Sequence, residues 1–110
     1  FLNVHEGPQA ISKFNTIKIT DGMIVSNEPG YYKHNKFGIR IENLIYAKKN
    51  NKKLIFKNLT LVPIDKDLIN YNFLTNSEKK YLFDYHLEVY SKISPYLNRK
   101  EKKWLINFVQ

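Results

Sequence analysis

Hydrophobic and polar residues alternate along the first half of the chain, which is the pattern of short β-strands. The alternation predicts a strand at residues 16–20 and a buried strand that begins at Met23, after a turn signal at residues 21–22. A polar segment at residues 31–36 predicts a connection, and a regular alternation begins at Gly38. The faces of that strand carry Ile39, Ile41, Asn43 and Ile45 on one side, and Arg40, Glu42, Leu44 and Tyr46 on the other. Short connections between the strands predict antiparallel pairing.

The period of the hydrophobic residues changes from strand to helix in the second half. Thr75 and Glu78 have the spacing of a capping box, and they open a helix that ends before Pro95. Asn98, with Glu101 three residues later, opens a second helix. The apolar positions are Leu82, Tyr85, His86, Val89, Tyr90 and Ile93 in the first helix, and Trp104, Leu105 and Phe108 in the second. Between strands and helices the sequence predicts a turn at residues 49–52, one or two strands within 54–64, and a helical turn at 65–69.

Composition limits the classes of protein to which the chain can belong. Its 110 residues are enough for one domain at most, and 43% of them are hydrophobic, which favours a packed core over disorder. The chain has no cysteine, which excludes disulfides, thiolate chemistry and cysteine-ligated zinc. No apolar run approaches the roughly 20 residues of a membrane span, and the first residues lack the pattern of a signal peptide. We therefore expect no membrane partner.

The net charge of +8 raises the question of nucleic-acid binding. The lysines are scattered, arginine is nearly absent, and no aromatic and basic residues interleave as they do on single-strand binding surfaces. A lysine-rich, solvated surface is therefore the preferred interpretation, and no nucleic-acid partner is expected. A salt-dependent affinity for DNA would identify the alternative.

Two carboxylates stand where a strand does not need them. Glu28 ends an apolar strand just before the Pro29–Gly30 bend, which would hold its side chain still. Glu42 shares a strand face with apolar residues, and a covered carboxylate must be paired or bound to a cation. Arg40 lies on the same side two residues earlier. From spacing alone, an ion pair between Arg40 and Glu42 is slightly favoured over a ligand role.

The three histidines have different positions in the predicted elements. His5 lies beside the bend at residues 7–8, where it is either a structural hydrogen-bond partner or a catalytic group. His34 falls in the polar connection and His86 on the edge of a helix stripe, so both are weaker candidates. No histidine is assigned a role from its position alone.

Three motifs in order, VHEGPQ, NEPGYY and GIRIEN, closely resemble the C-terminal catalytic region of Xaa-Pro aminopeptidases (aminopeptidase P). That family belongs to the M24 metallopeptidases, which share the pita-bread fold. LTLVPID and the paired helices resemble the C-terminal extension of its longer members. The resemblance implies an α+β fold: the C-terminal half of a curved antiparallel pita-bread sheet at residues 1–65, followed by a helical extension at 66–110. It also implies a cytoplasmic enzyme that removes the N-terminal residue preceding proline from peptides.

The resemblance further implies which residues form the active site. In the family two Asp, one His and two Glu hold two divalent metal ions, most often Mn²⁺. Glu28 and Glu42 match the two Glu ligands, and Glu28 matches the general base as well. His5 matches the catalytic histidine that contacts the scissile carbonyl and so also binds substrate. Arg40 matches the arginine that supports the ligands, and Tyr32 is expected to line the substrate site.

The remaining family ligands, two Asp and one His, precede VHEG in the family's order. We therefore expect the upstream half of the catalytic domain to be required, and the 110 residues alone to be inactive. The alternative is a catalytically inactive or decayed fragment, or an interaction module, of the same fold. Related enzymes are often dimers, so a homodimer is one expectation. An uncovered sheet edge and apolar face predict that the lone chain self-associates.

Overall fold

The computed structural model describes residues 7–109, so His5 lies outside the described residues. The chain forms two compact units, the first of which ends at Thr60 and the second of which begins at Leu61. The described part of the first unit contains five β-strands: β1 Ile24–Asn27, β2 Gly30–Lys33, β3 Phe37–Arg40, β4 Asn43–Asn50 and β5 Lys53–Asn58. The second contains the helices α1, Asn76–Ile93, and α2, Arg99–Val109. Strands followed by helices confirm the expected α+β class.

The five strands form two antiparallel ladders. One sheet has the order β1-β4-β5, and the other consists of β2 and β3. The core face of the three-stranded sheet carries Val25 and Ile45, which stand opposite each other, together with Ala47. All three residues are buried. Asn35 and Asn51 have positive φ angles of 53° and 54° in the two hairpin turns, a conformation that asparagine tolerates better than most residues. The short connections predicted from the sequence therefore produce antiparallel pairing.

The strand predicted at residues 16–20 does not form. Asn15 explains part of this difference, because its side-chain oxygen accepts the backbone N–H of Ile17 at 2.8 Å. Its amide nitrogen also donates to the carbonyl of Pro8 at 2.8 Å. A local side-chain bond of this kind satisfies a backbone donor that a strand would have given to its neighbour. Ile17 is 43% exposed, so no sheet face covers it.

Two further strand predictions are wrong in their boundaries. The sequence predicts a connection at residues 31–36, but β2 extends to Lys33 and only residues 34–36 form the turn. The regular strand expected from Gly38 is interrupted at residues 41–42, between β3 and β4. Pro29 lies across from this interruption. Its carbonyl accepts the N–H of Ile41 at 3.1 Å, but proline has no N–H to return, so the ladder cannot be completed there.

Both helices begin at the caps that the sequence predicts. The Thr75 hydroxyl accepts the N–H of Glu78 at 3.3 Å, and the Glu78 carboxylate accepts the N–H of Thr75 at 2.8 Å. Its hydrogen bonds with Thr75 lower the pKa of Glu78. Asn98 and Glu101 exchange the same pair of bonds, at 3.0 Å and 2.8 Å. None of the helices in the described residues is long and apolar enough to cross a membrane.

Most of the predicted helix stripe is buried or half-buried: Tyr90, Ile93 and Phe108 are half-buried, and Trp104 is exposed. Leu82, Tyr85, His86 and Val89 are buried on α1, and Leu105 is the buried residue of α2. Trp104 is 57% exposed, and its ring packs on Phe108 with a centroid distance of 4.7 Å. Successive residues on a helix point about 100° apart, and on α2 Leu105 faces the core while Trp104 lies on the neighbouring, exposed side.

The segment before the helices is held to α1 by two adjacent side chains. The Tyr85 hydroxyl donates to the carbonyl of Val62 at 2.6 Å, and Nε2 of His86 accepts the N–H of Ile64 at 3.1 Å. His86 is only 4% exposed, and burial lowers the pKa of its imidazole. An imidazolium has no lone pair with which to accept the Ile64 N–H, so this contact requires neutral His86.

We expect this histidine to make the free energy of unfolding depend on pH. The pKa of His86 is lower in the folded chain than its ordinary value of about 6.5, so the unfolded chain takes up the proton first as the pH falls. The stabilisation is therefore complete above about pH 6.5 and is lost as the pH falls toward the folded-state pKa, with a limiting slope of about 1.4 kcal/mol per pH unit. Urea unfolding between pH 5 and 8, followed by helix circular dichroism, measures it.

The variant His86→Gln keeps a hydrogen-bond acceptor but does not titrate, so its pH profile should lose this slope. His34→Gln is the matched control, because His34 lies exposed in the turn between β2 and β3. Equal slopes in all three proteins would show that His86 is not the group responsible.

Candidate metal centre

The pairing register brings Glu28 and Glu42 opposite each other. Asn27 of β1 stands opposite Asn43 of β4, and Gly30 of β2 stands opposite Arg40 of β3. The same register, carried across the two intervening positions, pairs Glu28 with Glu42. Both residues lie outside the strands, and the charges of both act on Arg40, so the two carboxylates lie near the same guanidinium. Two carboxylates so placed repel each other unless a cation lies near them.

Glu28 is held by a donor at each of its carboxylate oxygens. Oγ of Ser26 donates to Oε1 at 2.7 Å, and Nη1 of Arg40 donates to Oε2 at 2.7 Å. The Glu28 side chain is 29% exposed, so its charge is partly withdrawn from water. The structure thus gives Arg40 an ion pair with Glu28, on the neighbouring chain segment. Spacing alone slightly favours Glu42, the nearer carboxylate in sequence, as the partner of Arg40.

Arg40 connects Glu28 to Tyr32. Its Nε donates to the Tyr32 hydroxyl at 2.7 Å, and its guanidinium carbon lies 5.8 Å from the centre of the tyrosine ring. The hydrogen bond and charge of Tyr32, followed by the charges of Glu28 and Glu42, raise the pKa of Arg40. The guanidinium therefore remains charged and attracts both carboxylates. Of the residues singled out from the sequence, this geometry brings together Tyr32, Glu28, Arg40 and Glu42.

Ser26 is the member of this cluster that the sequence analysis missed. It lies two residues before Glu28, and residues i and i+2 of an extended segment share a face. That spacing was the available signal. His34 lies in the exposed turn, and His86 is engaged with Ile64 in the second unit. Neither histidine joins the carboxylates.

The cluster supplies only part of a metal site. Carboxylate oxygens are hard donors that suit Mn²⁺, Mg²⁺ or Ca²⁺, so the type of ligand fits a divalent cation. Within residues 7–109, however, no three His, Cys, Asp or Glu side chains lie together as a metal-binding group. A two-metal centre would therefore need additional ligands from outside these residues.

Two grooves lie elsewhere in the described residues. One in the second unit has a volume of about 280 Å³ and is lined by Phe83, Leu87, Tyr90, Ile106 and Val109. The other has a volume of about 310 Å³ and lies at the end of β1 and β4 away from the carboxylates. Four of its lining residues are lysines, and the full lining is Lys18, Ile19, Thr20, Asp21, Lys49, Lys52, Lys53 and Leu54. Neither groove contains Glu28 or Glu42.

Family models match almost all of the chain. The model of metallopeptidase family M24 matches residues 2–49. The model described as the C-terminal region of peptidase_M24 matches residues 52–110, which is more than half of the chain. The two matches follow each other with a gap of two residues, in the order that the sequence motifs predict.

Individual relatives agree with the family models. The chain is 45% identical to the "Probable Xaa-Pro aminopeptidase P" of Coprinopsis cinerea, over 96% of the chain and 19% of that protein. It is 44% identical to Xaa-Pro aminopeptidase 1 of Dictyostelium discoideum, over 100% of the chain and 20% of that protein. The chain thus spans about a fifth of the length of the relatives that it matches.

A solved structure confirms the fold. The crystal structure of X-prolyl aminopeptidase from Caenorhabditis elegans, described as a cytosolic enzyme with a di-nuclear active site, matches with a TM-score of 0.80 and 33% identity. The match covers 99% of this chain and 19% of that one. The expected part of a pita-bread fold and the resemblance to Xaa-Pro aminopeptidases are therefore confirmed. The chain belongs to the metallopeptidase family M24.

Proposed function

We propose that the chain is the C-terminal part of a metal-dependent Xaa-Pro aminopeptidase, to whose metal centre it contributes Glu28 and Glu42. One observation carries this proposal: the register sets these carboxylates opposite each other, next to a charged Arg40, in a chain of family M24. Two carboxylates close together favour a cation near them. Their oxygens are the hard ligands that suit a divalent metal.

The metal requirement is two divalent cations, with Mn²⁺ as the preferred ion. The support is the oxygen-only donor set together with the di-nuclear active site of the Caenorhabditis elegans enzyme. When bound, such a pair supplies activation of a water and polarisation of the scissile carbonyl. Glu28 and Glu42 would hold it with ligands from a complementing segment, which we propose to be the upstream half of the catalytic domain.

Within this scheme Glu28 is also the general base. Hydrogen bonds from Ser26 and Arg40 hold both oxygens of its carboxylate in place. A general base must first be correctly positioned to accept the proton, and this arrangement supports the role. Arg40 keeps the carboxylate in place, and we assign Tyr32 to the substrate side of the cluster. His5 is proposed to contact the scissile carbonyl and to protonate the departing prolyl nitrogen.

The substrate class is peptides with proline at the second position, from which the preceding residue is removed. Residues 1–65 are assigned to the catalytic domain and 66–110 to its helical extension. A cytoplasmic location is proposed because the Caenorhabditis elegans enzyme is described as cytosolic. A homodimer remains part of the proposal.

Complementation tests the proposed function. The chain is co-expressed with the part of the Dictyostelium discoideum enzyme that lies outside the matched segment, and the two are purified together as the complemented complex. We expect the complex to cleave a fluorogenic peptide with proline at its second position, with activity restored by Mn²⁺ and removed by a chelator. Each part alone should be inactive, because the described residues of the chain supply too few ligands.

Two results would contradict this proposal in different ways. Tight binding of two Mn²⁺ ions and peptide cleavage by the isolated chain would show that its own residues complete the site. A folded complex that binds no Mn²⁺ and cleaves nothing would favour the alternative of an inactive module of the same fold.

A further inference from the structure

The ring of Tyr32 lies against two glycines of the β2–β3 hairpin. Tyr32 stands directly opposite Gly38, and Gly30 lies two residues before it, on the same face. A Cβ atom added to Gly38 would lie 2.6 Å from Cδ1 of Tyr32, and one added to Gly30 would lie 2.7 Å from the tyrosine hydroxyl. Real carbon atoms do not approach so closely, so the ring occupies the space that side chains would fill at both positions.

Backbone conformation does not explain these glycines. Gly22 is the glycine with a positive φ angle, 82°, in the described part of the chain, whereas Gly30 and Gly38 lie in ordinary strands. Glycine weakens a strand interior unless something approaches the backbone closely. An aromatic ring laid over a cross-strand glycine is such an approach. The ring of Tyr32 therefore accounts for both residues.

The position of the ring determines where Arg40 can reach. The Tyr32 hydroxyl accepts from Nε of Arg40 at 2.7 Å, and Nη1 of the same guanidinium donates to Glu28 at 2.7 Å. Arg40 stands opposite Gly30, so the ring crosses Gly30 on its way to the guanidinium. A ring displaced by a methyl group at either glycine would carry its hydroxyl away from Nε.

We propose that Gly30 and Gly38 are positioning residues, which seat the Tyr32 ring so that its hydroxyl orients Arg40 against Glu28. The consequence for metal binding rests on the proposed function. A methyl group at position 38 would meet side-chain atoms of Tyr32 rather than backbone, and alanine suits a strand better than glycine does. Gly38→Ala should therefore spare the fold and disturb Arg40.

Labelled side chains test the positioning directly. The chain has two arginines, Arg40 and Arg99, and four glycines, so selective labelling gives a few resolved signals with internal references. In the unsubstituted chain we expect ring-current-shifted Hα signals for Gly30 and Gly38, and a protected Arg40 Nε–H signal. Gly38→Ala should return the Gly30 signal to its ordinary position and abolish the Nε–H signal of Arg40, while Arg99 is unchanged.

Two variants keep the inference falsifiable. Gly7→Ala is the matched control, because nothing lies within 4 Å of a Cβ atom added there. The same Gly38→Ala substitution in a Tyr32→Leu background should cause no further change at Arg40, since the ring that it displaces is gone. An Arg40 Nε–H signal that survives Gly38→Ala would overturn the proposal, as would an equal loss caused by Gly7→Ala. The same labelled chain is measured in the complemented complex if it self-associates alone.

The metal readout separates this inference from the proposed function. In the complemented complex, Gly38→Ala should weaken Mn²⁺ affinity by about 10- to 100-fold, the usual effect of losing a partner that orients a metal ligand. Unchanged affinity despite a lost Arg40 signal would overturn the link to the metal site. A complex that binds no Mn²⁺ even when unsubstituted would contradict the proposed function, while the Arg40 and glycine signals would still decide the positioning.

Discussion

Glu28→Gln is expected to lower kcat/KM of the complemented complex by about 10²- to 10⁴-fold, the range that a general base contributes. Glutamine keeps the length of the side chain; its one carbonyl oxygen can accept from Arg40 while its amide nitrogen donates to the Ser26 hydroxyl, so the local packing is preserved. What is lost is the negative charge, which both metal ligation and proton abstraction require. Steady-state kinetics at saturating Mn²⁺ measure the effect.

Glu42 separates the two roles assigned to Glu28. Glu42→Gln removes a proposed ligand but no proposed base, so its loss of activity should be partly recovered at high Mn²⁺ concentration, whereas that of Glu28→Gln should not. Glu88→Gln is the matched control, because Glu88 forms a surface ion pair with Lys92 on α1 at 2.9 Å. Activity of Glu28→Gln within a few-fold of the unsubstituted complex would exclude Glu28 as base and ligand.

The features predicted correctly from the sequence are those that depend on residues close together in the chain. The two helix caps, Thr75 with Glu78 and Asn98 with Glu101, are complete within four residues. The failure at residues 16–20 is also local, but it follows from a rule that competes with hydrophobic alternation: the Asn15 side chain takes a backbone donor that a strand needs. The alternation of hydrophobic and polar residues does not reveal this competition for backbone donors.

The arrangement of the candidate site depended on register, which periodicity does not determine. Spacing alone slightly favours an ion pair between Arg40 and Glu42, because they are two residues apart. The structure pairs Arg40 with Glu28, twelve residues away, because a turn at residues 34–36 folds β2 onto β3. When residues 31–36 are interpreted as one polar connection, the pairing of β2 with β3 is not predicted. The position of Glu28 relative to Glu42 and the contacts of the Tyr32 ring depend on that pairing. The motifs identified the right residues without their contacts.

The isolated chain is expected to self-associate through the face of the β1-β4-β5 sheet that continues from its core. Leu54 and Phe56 of β5 stand opposite Lys49 and Ala47, so Phe56 shares the face of the buried residues Val25, Ile45 and Ala47. Leu54 and Phe56 are nevertheless 46% and 49% exposed. An edge strand with a half-covered apolar face is a common site of association, and a second copy of the chain offers the same strand and the same face.

The size of the effect follows from Phe56. Burying a whole phenylalanine side chain contributes about 1.5–3 kcal/mol, so burying its exposed half contributes about 1 kcal/mol per copy. In a twofold dimer both copies contribute, and Phe56→Thr should therefore raise the dissociation constant about 30-fold. Threonine retains a high preference for strands, so β5 itself should persist. Light scattering during size exclusion, across a dilution series, reports the mass relative to the 13.1 kDa monomer.

Phe73→Thr distinguishes association through this sheet face from non-specific hydrophobic association. Phe73 is 84% exposed, more than Phe56, but it lies in a short 3₁₀ turn of the second unit rather than on a sheet. If exposed apolar area alone drove association, Phe73→Thr would weaken it at least as much as Phe56→Thr. If the sheet face drives it, Phe73→Thr should leave the dissociation constant unchanged. A monodisperse 13.1 kDa monomer that binds no hydrophobic dye would show that the exposed part of this face is tolerated in water.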